Sequence, residues 1–355
     1  MALRPTRAGS PRGDRLMAEP VVTLAHGGGG ASTRQLLRDI LLPLLDPAHA
    51  LHLEDAALLP AAAGSPAWAI TTDGFTVRPL FFPGGDIGKL AVCGTVNDLA
   101  MRGARPEVLT VSMVLEEGLP LGTLERVVAS MRATLDAVGA VVVAGDTKVV
   151  ERGRGDGMFL SMSGLGKVQV SPPPAAFRAQ PGDQVLINGP IGDHGIAVLA
   201  ARENLGFSVA VESDCAPLWS LVETMLSAGG PDVHVLRDPT RGGLAAALNE
   251  IAADSRVGVI IREADLTVTA GVRGACDLLG FDPLTIANEG KVVAFVAPRQ
   301  ATAVLEAMRA HPLGRGSAVI GEVITDSPGR VLLETDLGTR RLVDMPGGEL
   351  LPRIC

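Results

Sequence analysis

At 355 residues the chain is too long for one ordinary hydrophobic core, so two domains are expected, and 47% hydrophobic against 20% charged residues argues for folded globular structure. Aromatics make up only 3%, without a single tyrosine, and the net charge is −8; both disfavour a stacking platform or a broad phosphate-binding face, so no nucleic-acid partner is expected. Cys93, Cys215, Cys276 and Cys355 form no C-x-x-C pair, and no run of about 18 apolar residues occurs; this argues against a disulfide framework, a zinc site or a membrane partner, and for a reducing, cytoplasmic setting.

Residues 1–20 carry Arg4, Arg7, Arg12 and Arg15 without an apolar stretch. They read as a disordered leader, or as sequence ahead of a true start at Met17. Val21 to Ala25 predicts a short strand. The run Gly27, Gly28, Gly29, Gly30 suits a close approach, and Ser32 is placed to cap the helix suggested by Leu36, Leu37, Ile40 and Leu41. A glycine loop entering a helix can cradle phosphate; a flexible loop explains it equally well, since neither the dinucleotide fingerprint nor the P-loop is matched.

Glu54 and Asp55 precede an apolar run, and the strand Trp68 to Gly74 presents Asp73 at its end. Phe81 to Leu90 imitates a P-loop, but Pro83 and Leu90 occupy the places of a glycine and a hydroxyl. Asp86 is therefore read as the N-cap of a helix from Ile87 to Met101. Asp98, beside Asn97, falls in the stripe Ile87, Leu90, Ala91, Gly94 and Met101, where a carboxylate needs a cation or an ion pair. A strand from Val108 to Leu115 follows, then a helix from Leu121 to Val138 ended by Gly139. A buried strand, Ala140 to Ala144, leads to Gly145, Asp146, Thr147 and Lys148; Arg152 to Asp156 reads as a hairpin loop and Met158 to Leu165 as its return strand.

Ser171 and Pro172 to Pro174 mark a linker. The expected division is 21–170, a linker at 171–175, a second domain at 176–345, and a mobile tail at 346–355. In the second domain, strands are predicted at Gln184 to Asn188, Val233 to Arg237, Val257 to Ile261 and Val292 to Val296, with short ones near Val319, Val331 and Leu342. Helices are predicted at Gly192 to Asn204, Pro217 to Leu226, Leu244 to Ala253 and Ala301 to Ala310. The tail has two glycines and two prolines after Met345, ends on Cys355, and reaches at most roughly 35 Å when extended. A thiol on such an arm can be loaded at one site and carried to another; a frayed terminus is the plainer reading.

Asp55, Asp73, Asp98, Asp146 and Asp238 would repel one another if gathered, unless divalent cations sat among them. Singly, each reads as a cap, a turn residue or an ion pair. With the glycine loop and Lys148 they point to an ATP–magnesium site, because magnesium takes a few carboxylates together with phosphate oxygens.

Several stretches carry a family resemblance: His26 to Gly30, Pro79 to Gly85, Gly94 to Asp98, Gly145 to Val150, Gly192 to Gly195, Arg237 to Gly243, Asn288 to Lys291 and Pro352 to Cys355. Together they resemble the hydrogenase-maturation carbamoyl dehydratases, the HypE family, within the aminoimidazole-ribotide and selenophosphate synthetase superfamily. The resemblance implies an α+β, two-domain subunit of PurM-like fold, a homodimer through a shared β-barrel, with ATP between the N-terminal domains. It implies that a carbamoyltransferase partner loads Cys355 and that ATP then drives dehydration of the S-carboxamide to an S-cyanate. The cyanide would pass to an iron-carrying maturation scaffold for the nickel–iron hydrogenase site. By the same resemblance Asp55, Asp73, Asp98 and Asp238 would hold Mg2+, while Gly27 to Gly30, Asn97, Asp146 and Thr147 would bind ATP. Lys148 would polarise the γ-phosphate, unless it is a solvated loop lysine. Glu289 would be the base, unless it forms a core ion pair with Lys291. His194 would be a second proton carrier, unless it marks a helix entry. Glu54 stands where relatives usually carry a second aspartate. Two other readings are a selenophosphate synthetase-like enzyme, which commonly has a reactive cysteine near the glycine loop that this chain lacks, and a non-catalytic scaffold docking through its tail.

Overall fold

The computed structural model describes residues 21–45, 53–59, 67–203, 205, 210–348 and 351–355. The leader predicted at 1–20, and Glu349 and Leu350 of the tail, lie outside the described residues. The strand expected at Val21 to Ala25 is instead a 3-10 turn at Leu24–Gly27. Thr23 donates its N–H to His26 Nδ1 at 2.9 Å, which closes the turn locally, and no described strand pairs with it. Helix α1 (Ala31–Leu36) continues through a π turn into α2 (Leu42–Leu45), and its N-cap is Gly30. Ser32 is not the cap: its hydroxyl donates to Gly347 O at 3.0 Å.

The first half holds β1 (Ala57–Leu59), β2 (Trp68–Phe75), the hairpin β3 (Phe81–Phe82) and β4 (Gly85–Asp86), α3 (Ile87–Met101), β5 (Ala104–Glu116), α4 (Leu121–Val138), β6 (Val141–Val150) and β7 (Met158–Val168). Its sheet runs β1-β2-β7-β5-β6, antiparallel except for β5 with β6. Asp86 caps α3 as expected, accepting from the N–H groups of Gly88 and Lys89 at 2.8 and 3.2 Å. The single apolar stripe foreseen for α3 is too narrow a description, because the helix is buried almost all round, Thr95 and Asn97 included. It packs on the sheet through β2 and β7, on α4, and on α6 of the second half. Gly88 permits the α4 contact, since a Cβ there would lie 2.5 Å from Val127 O. Gly139 ends α4 at φ 75°, its N–H donating to Leu135 O.

Two expectations about β6 are corrected. It is not buried, and Asp146 lies within it, not at its end: Val143 and Val149 are 60% and 68% exposed. The strand lies at one edge of the sheet, and side chains on both of its faces are exposed among the described residues. Nor is 152–156 a hairpin loop, because β6 and β7 both pair with β5, which lies between them.

The second half contains β8 (Gln184–Ile187), α5 (Asp193–Glu203), α6 (Trp219–Gly229), β9 (Val233–Arg237), α7 (Gly243–Ser255), β10 (Gly258–Arg262), α8 (Ala270–Leu279), β11 (Val293–Val296), α9 (Pro298–Ala310), β12 (Ala318–Ile324), β13 (Arg330–Glu334) and β14 (Arg340–Leu342). The sheet order is β14-β13-β10-β12-β8-β11-β9. The central strands are apolar on both faces because both are covered. Val185, Val259 and Phe295 meet Leu244, Leu248 and Ile251 of α7, whereas Leu186, Ala294 and Val296 meet Met225 of α6 and Val304 and Met308 of α9. Helix α8, capped by the Thr269 hydroxyl, was not anticipated.

Candidate active site

A cavity of about 290 Å³ opens between β2, α3 and the start of α7. Strand alternation directs Ala69, Thr71, Asp73 and Phe75 to the same side of β2, toward α3. Asp98 arrives from α3, Asp55 from the segment before β1, and Asp238 from the end of β9. Carboxylate oxygens of Asp55, Asp98 and Asp238 lie within 4.8 Å of one another, and Asp73 borders the same space. Thr71 donates to Asp98 Oδ2 at 2.7 Å, and Arg237 sits 2.9 Å from Asp55 Oδ1.

The electrostatics of this cluster favour a cation. Burial pushes the Asp98 carboxyl well above the usual carboxylate range, and the charges of Asp238, Asp55 and Asp73 add to the shift. Asp55 is raised by burial against the opposing pull of Arg237, and Asp238 is pushed up to about 6 by burial against the same arginine. Burial likewise raises Asp73. Asp55 Oδ2 is buried without a hydrogen-bond partner among the described residues. An all-oxygen donor set with such an unmatched atom fits a hard divalent ion. Glu54, next to Asp55, is committed elsewhere: it accepts from Ala176 N–H at 3.0 Å and pairs with Arg102 at 3.1 Å, fixing this segment to the backbone at Ala176 and to the end of α3.

Cys355 lines the same cavity. The described tail lies between the end of β2 and α5, where Leu351 and Ile354 are buried in the core. Thr76 N–H donates to Cys355 O at 3.0 Å and Arg78 N–H to Arg353 O at 3.2 Å. Glu289 faces the cavity too; burial, and then the neighbouring Cys215 thiol and Asp238, raise its carboxyl well above the ordinary value. The cavity thus joins a carboxylate cluster, a carboxyl able to hold a proton, and the terminal thiol.

Residues 53–168 match the family described as AIR synthase related protein, N-terminal domain, and 180–334 match AIR synthase related protein, C-terminal domain. Carbamoyl dehydratase HypE of Bradyrhizobium diazoefficiens is 48% identical over 334 residues, covering 94% of this chain and 96% of that protein. The chain belongs to the HypE family of carbamoyl dehydratases. Its fold is PurM-like, with two α+β halves. A crystal structure of hydrogenase maturation protein HypE in complex with ATP matches with TM-score 0.79 and 45% identity, over 94% of this chain and 100% of that one. HypE in a HypE–HypF complex matches with TM-score 0.83 and 46% identity, over 88% and 99%.

Of the residues singled out in the sequence, the fold brings Asp55, Asp73, Asp98, Asp238, Glu289, Cys355 and Gly29 to this cavity. The glycine loop is pressed close to its neighbours: a Cβ on Gly29 would meet Arg241 at 2.9 Å, and one on Gly30 would lie 2.2 Å from Pro346 O. Asn97 is a buried strut, accepting from Leu218 N–H at 2.8 Å and donating to Ala216 O at 3.1 Å. His194 is away from the cavity, fully buried, with Nε2 at 2.7 Å from Ile354 O and Nδ1 at 2.8 Å from Ser213 Oγ. Lys291 pairs with Asp214 at 2.9 Å, so it is not the partner of the Glu289 carboxyl. Asp146, Thr147 and Lys148 lie on the open strand β6, with Lys148 Nζ 2.9 Å from Asp146 Oδ2.

Sequence reasoning passed over Thr71, Arg237 and Asp214. Thr71 was legible as the residue two before Asp73 on one strand face. Arg237 adjoins Asp238. Asp214, which also accepts from the N–H groups of Glu289 and Gly290, leaves no local signal, since its partners are more than seventy positions away.

Proposed function

We propose that this enzyme dehydrates an S-carboxamide on Cys355 to an S-cyanate at the expense of ATP, in the service of nickel–iron hydrogenase maturation. The observation that carries the reading is the seating of Cys355 in one cavity with the carboxylate cluster and Glu289. Hydroxide leaves poorly, so the amide oxygen first attacks the γ-phosphate of ATP, and ADP departs. The oxygen then leaves on phosphate while nitrogen loses both protons, giving S–C≡N, ADP and phosphate. Glu289 would take one of those protons; burial raises its pKa, so its carboxylate, once ionised, is a stronger base than an ordinary one. Asp55, Asp98 and Asp238, with Asp73 beside them, would hold Mg2+, which when bound neutralises phosphate charge.

Asp146, Thr147 and Lys148 fit this reading through a partner subunit. The uncovered valines of β6 are the face by which we propose that two copies close a shared barrel, bringing Lys148 toward the nucleotide of the other copy. Residues 351–355 are proposed to leave the groove for a carbamoyltransferase, a partner role suggested by the HypE–HypF complex, and to deliver cyanide to an iron-carrying scaffold. Dependence on ATP and a reduced thiol suits the cytoplasm. The test is peptide mass spectrometry after incubation with the carbamoyl donor system. The terminal peptide should gain a carbamoyl group without ATP and lose about 18 Da, one water, when ATP is added. A carbamoyl adduct on Cys93, Cys215 or Cys276, or one that ATP leaves unchanged, would reject the proposal.

A further inference from the structure

The body grips the tail largely by its backbone. Four consecutive carbonyls are received. Arg202 donates to Pro352 O and, at 2.5 Å, to Arg353 O; His194 Nε2 meets Ile354 O at 2.7 Å; Thr76 donates to Cys355 O through N–H at 3.0 Å and Oγ1 at 3.2 Å. Because only carbonyls are read there, this part of the grip specifies position along the tail and not side-chain identity. Side chains enter at three places. Leu351 and Ile354 are buried, Leu351 lying over the bare backbone of α5, where a Cβ on Gly195 would stand 3.2 Å from it. Arg353 donates to Thr76 O at 3.0 Å and reaches Asp156. All of these contacts are made within residues 351–355. Upstream of these, Ala31 N–H donates to Pro346 O and the Ser32 hydroxyl to Gly347 O, tying the start of the tail to α1.

We infer that the groove between β2 and α5 is a peptide-binding site in its own right, and that a chain without its last five residues takes a free S-carbamoylated Leu-Pro-Arg-Ile-Cys peptide as substrate in trans. This rests on the function proposed above. Joining the tail to the body chiefly supplies local concentration, which for a short flexible linker corresponds to about millimolar free ligand. The substrate class is a short peptide ending in carbamoyl-cysteine, apolar one and four positions before it and with arginine two before. The bonds made and broken are those of the intramolecular reaction: C–O cleaves, oxygen leaves on phosphate, and nitrogen loses two protons.

The experiment uses the 351–355 deletion and, as a guard against a truncation that does not fold, the full chain carrying Ile354→Asp with Cys355→Ser, whose tail is unseated by a buried charge. Fluorescent Leu-Pro-Arg-Ile-Cys peptide is titrated by anisotropy, and millimolar S-carbamoyl peptide is followed by mass with and without ATP. Both backgrounds should bind the peptide and remove about 18 Da from it only with ATP. Full-length Cys355→Ser, its groove filled by its own tail, should convert it at least about tenfold more slowly, as should the deletion carrying Arg202→Ala. The inference is overturned if both backgrounds bind ATP like the parent yet neither bind nor convert the peptide, while the parent dehydrates its own loaded tail. If the parent leaves its own tail unconverted, the functional reading falls; absence of anisotropy binding then also removes the groove as a peptide site.

Discussion

Replacing Ile354 by alanine should weaken the seating of the tail without disturbing the rest of the fold. Ile354 is 4% exposed and packs in a core cluster that joins α3 and β7 of the first half to α5 and α8 of the second. The change removes three carbon atoms, worth about 0.8 kcal/mol each in transfer free energy. A cavity left behind would add to this, but the groove opens to the surface and can close over the gap, so we take about 2.5 kcal/mol in all. That raises the undocked population by a factor of about 70 while the docked state still dominates. Thr76 and Arg78 provide the reporters, because their amides donate to Cys355 O and Arg353 O and are protected only while the tail is seated. Hydrogen exchange at these two amides should quicken by about 70-fold, in proportion to the undocked fraction. The Gly139 amide, bonded to Leu135 O at the end of α4, should exchange as in the parent. Unchanged exchange at Thr76 and Arg78 would show that Ile354 does not hold the tail. Equal acceleration at Gly139 would show that the substitution destabilises the whole chain, and the argument for a separately docking tail would fail.

Asp98→Asn should abolish magnesium-dependent ATP binding in calorimetry yet leave the metal-free melting temperature no lower than the parent's, since burial and neighbouring acids already disfavour that charge; a lower melting temperature would contradict the crowding. Burial holds the His194 pKa below its ordinary value, so the unfolded chain gains a proton there more readily than the folded one. The His194 contribution is therefore complete above about pH 6.5 and is lost as pH falls below it, and His194→Gln should reduce the slope of melting temperature against pH between about 5.5 and 7. An identical slope in the two proteins would remove His194 as its cause. Mixing Lys148→Ala with Cys355→Ser, each inactive alone, should restore about a quarter of parental turnover if Lys148 serves the partner's cavity, because half of the dimers are mixed and each has one complete site; no recovery after subunit exchange would place Lys148 in its own subunit's chemistry or outside it. Gly290→Ala should disrupt the loop at Asp214, whose carbonyl would stand 1.9 Å from the new Cβ, and so lower stability by more than about 2 kcal/mol in denaturant melts; a melt like the parent's would show that the loop can yield.

What the sequence determined by itself was local. Asp86 before Ile87 and Gly139 after Val138 bound α3 and α4 correctly, because a cap acts through hydrogen bonds within one turn of the chain. Strand alternation and the acids at strand ends were likewise visible, and the motif resemblance led to the family. Where local preference was weak or outweighed, the reading failed. Val21 to Ala25 has strand composition but no strand beside it, and α8 passed unnoticed between stronger patterns. The tertiary structure alone decided which valines were covered. Val141 to Ala144 is as apolar as a core strand, yet these residues are exposed on both faces of β6, and burial depends on neighbours that composition does not name. It also decided the site. Asp55, Asp98 and Asp238 come within 4.8 Å only because the segment before β1, helix α3 and the end of β9 converge, and the same convergence raises their pKa values by burial and mutual repulsion. His194 shows the limit most plainly: its motif left open a proton carrier or a helix-entry residue, and it does stand in the first turn of α5, but only the folded chain brings it against the carbonyl of Ile354, 160 positions away, on the tail that carries Cys355.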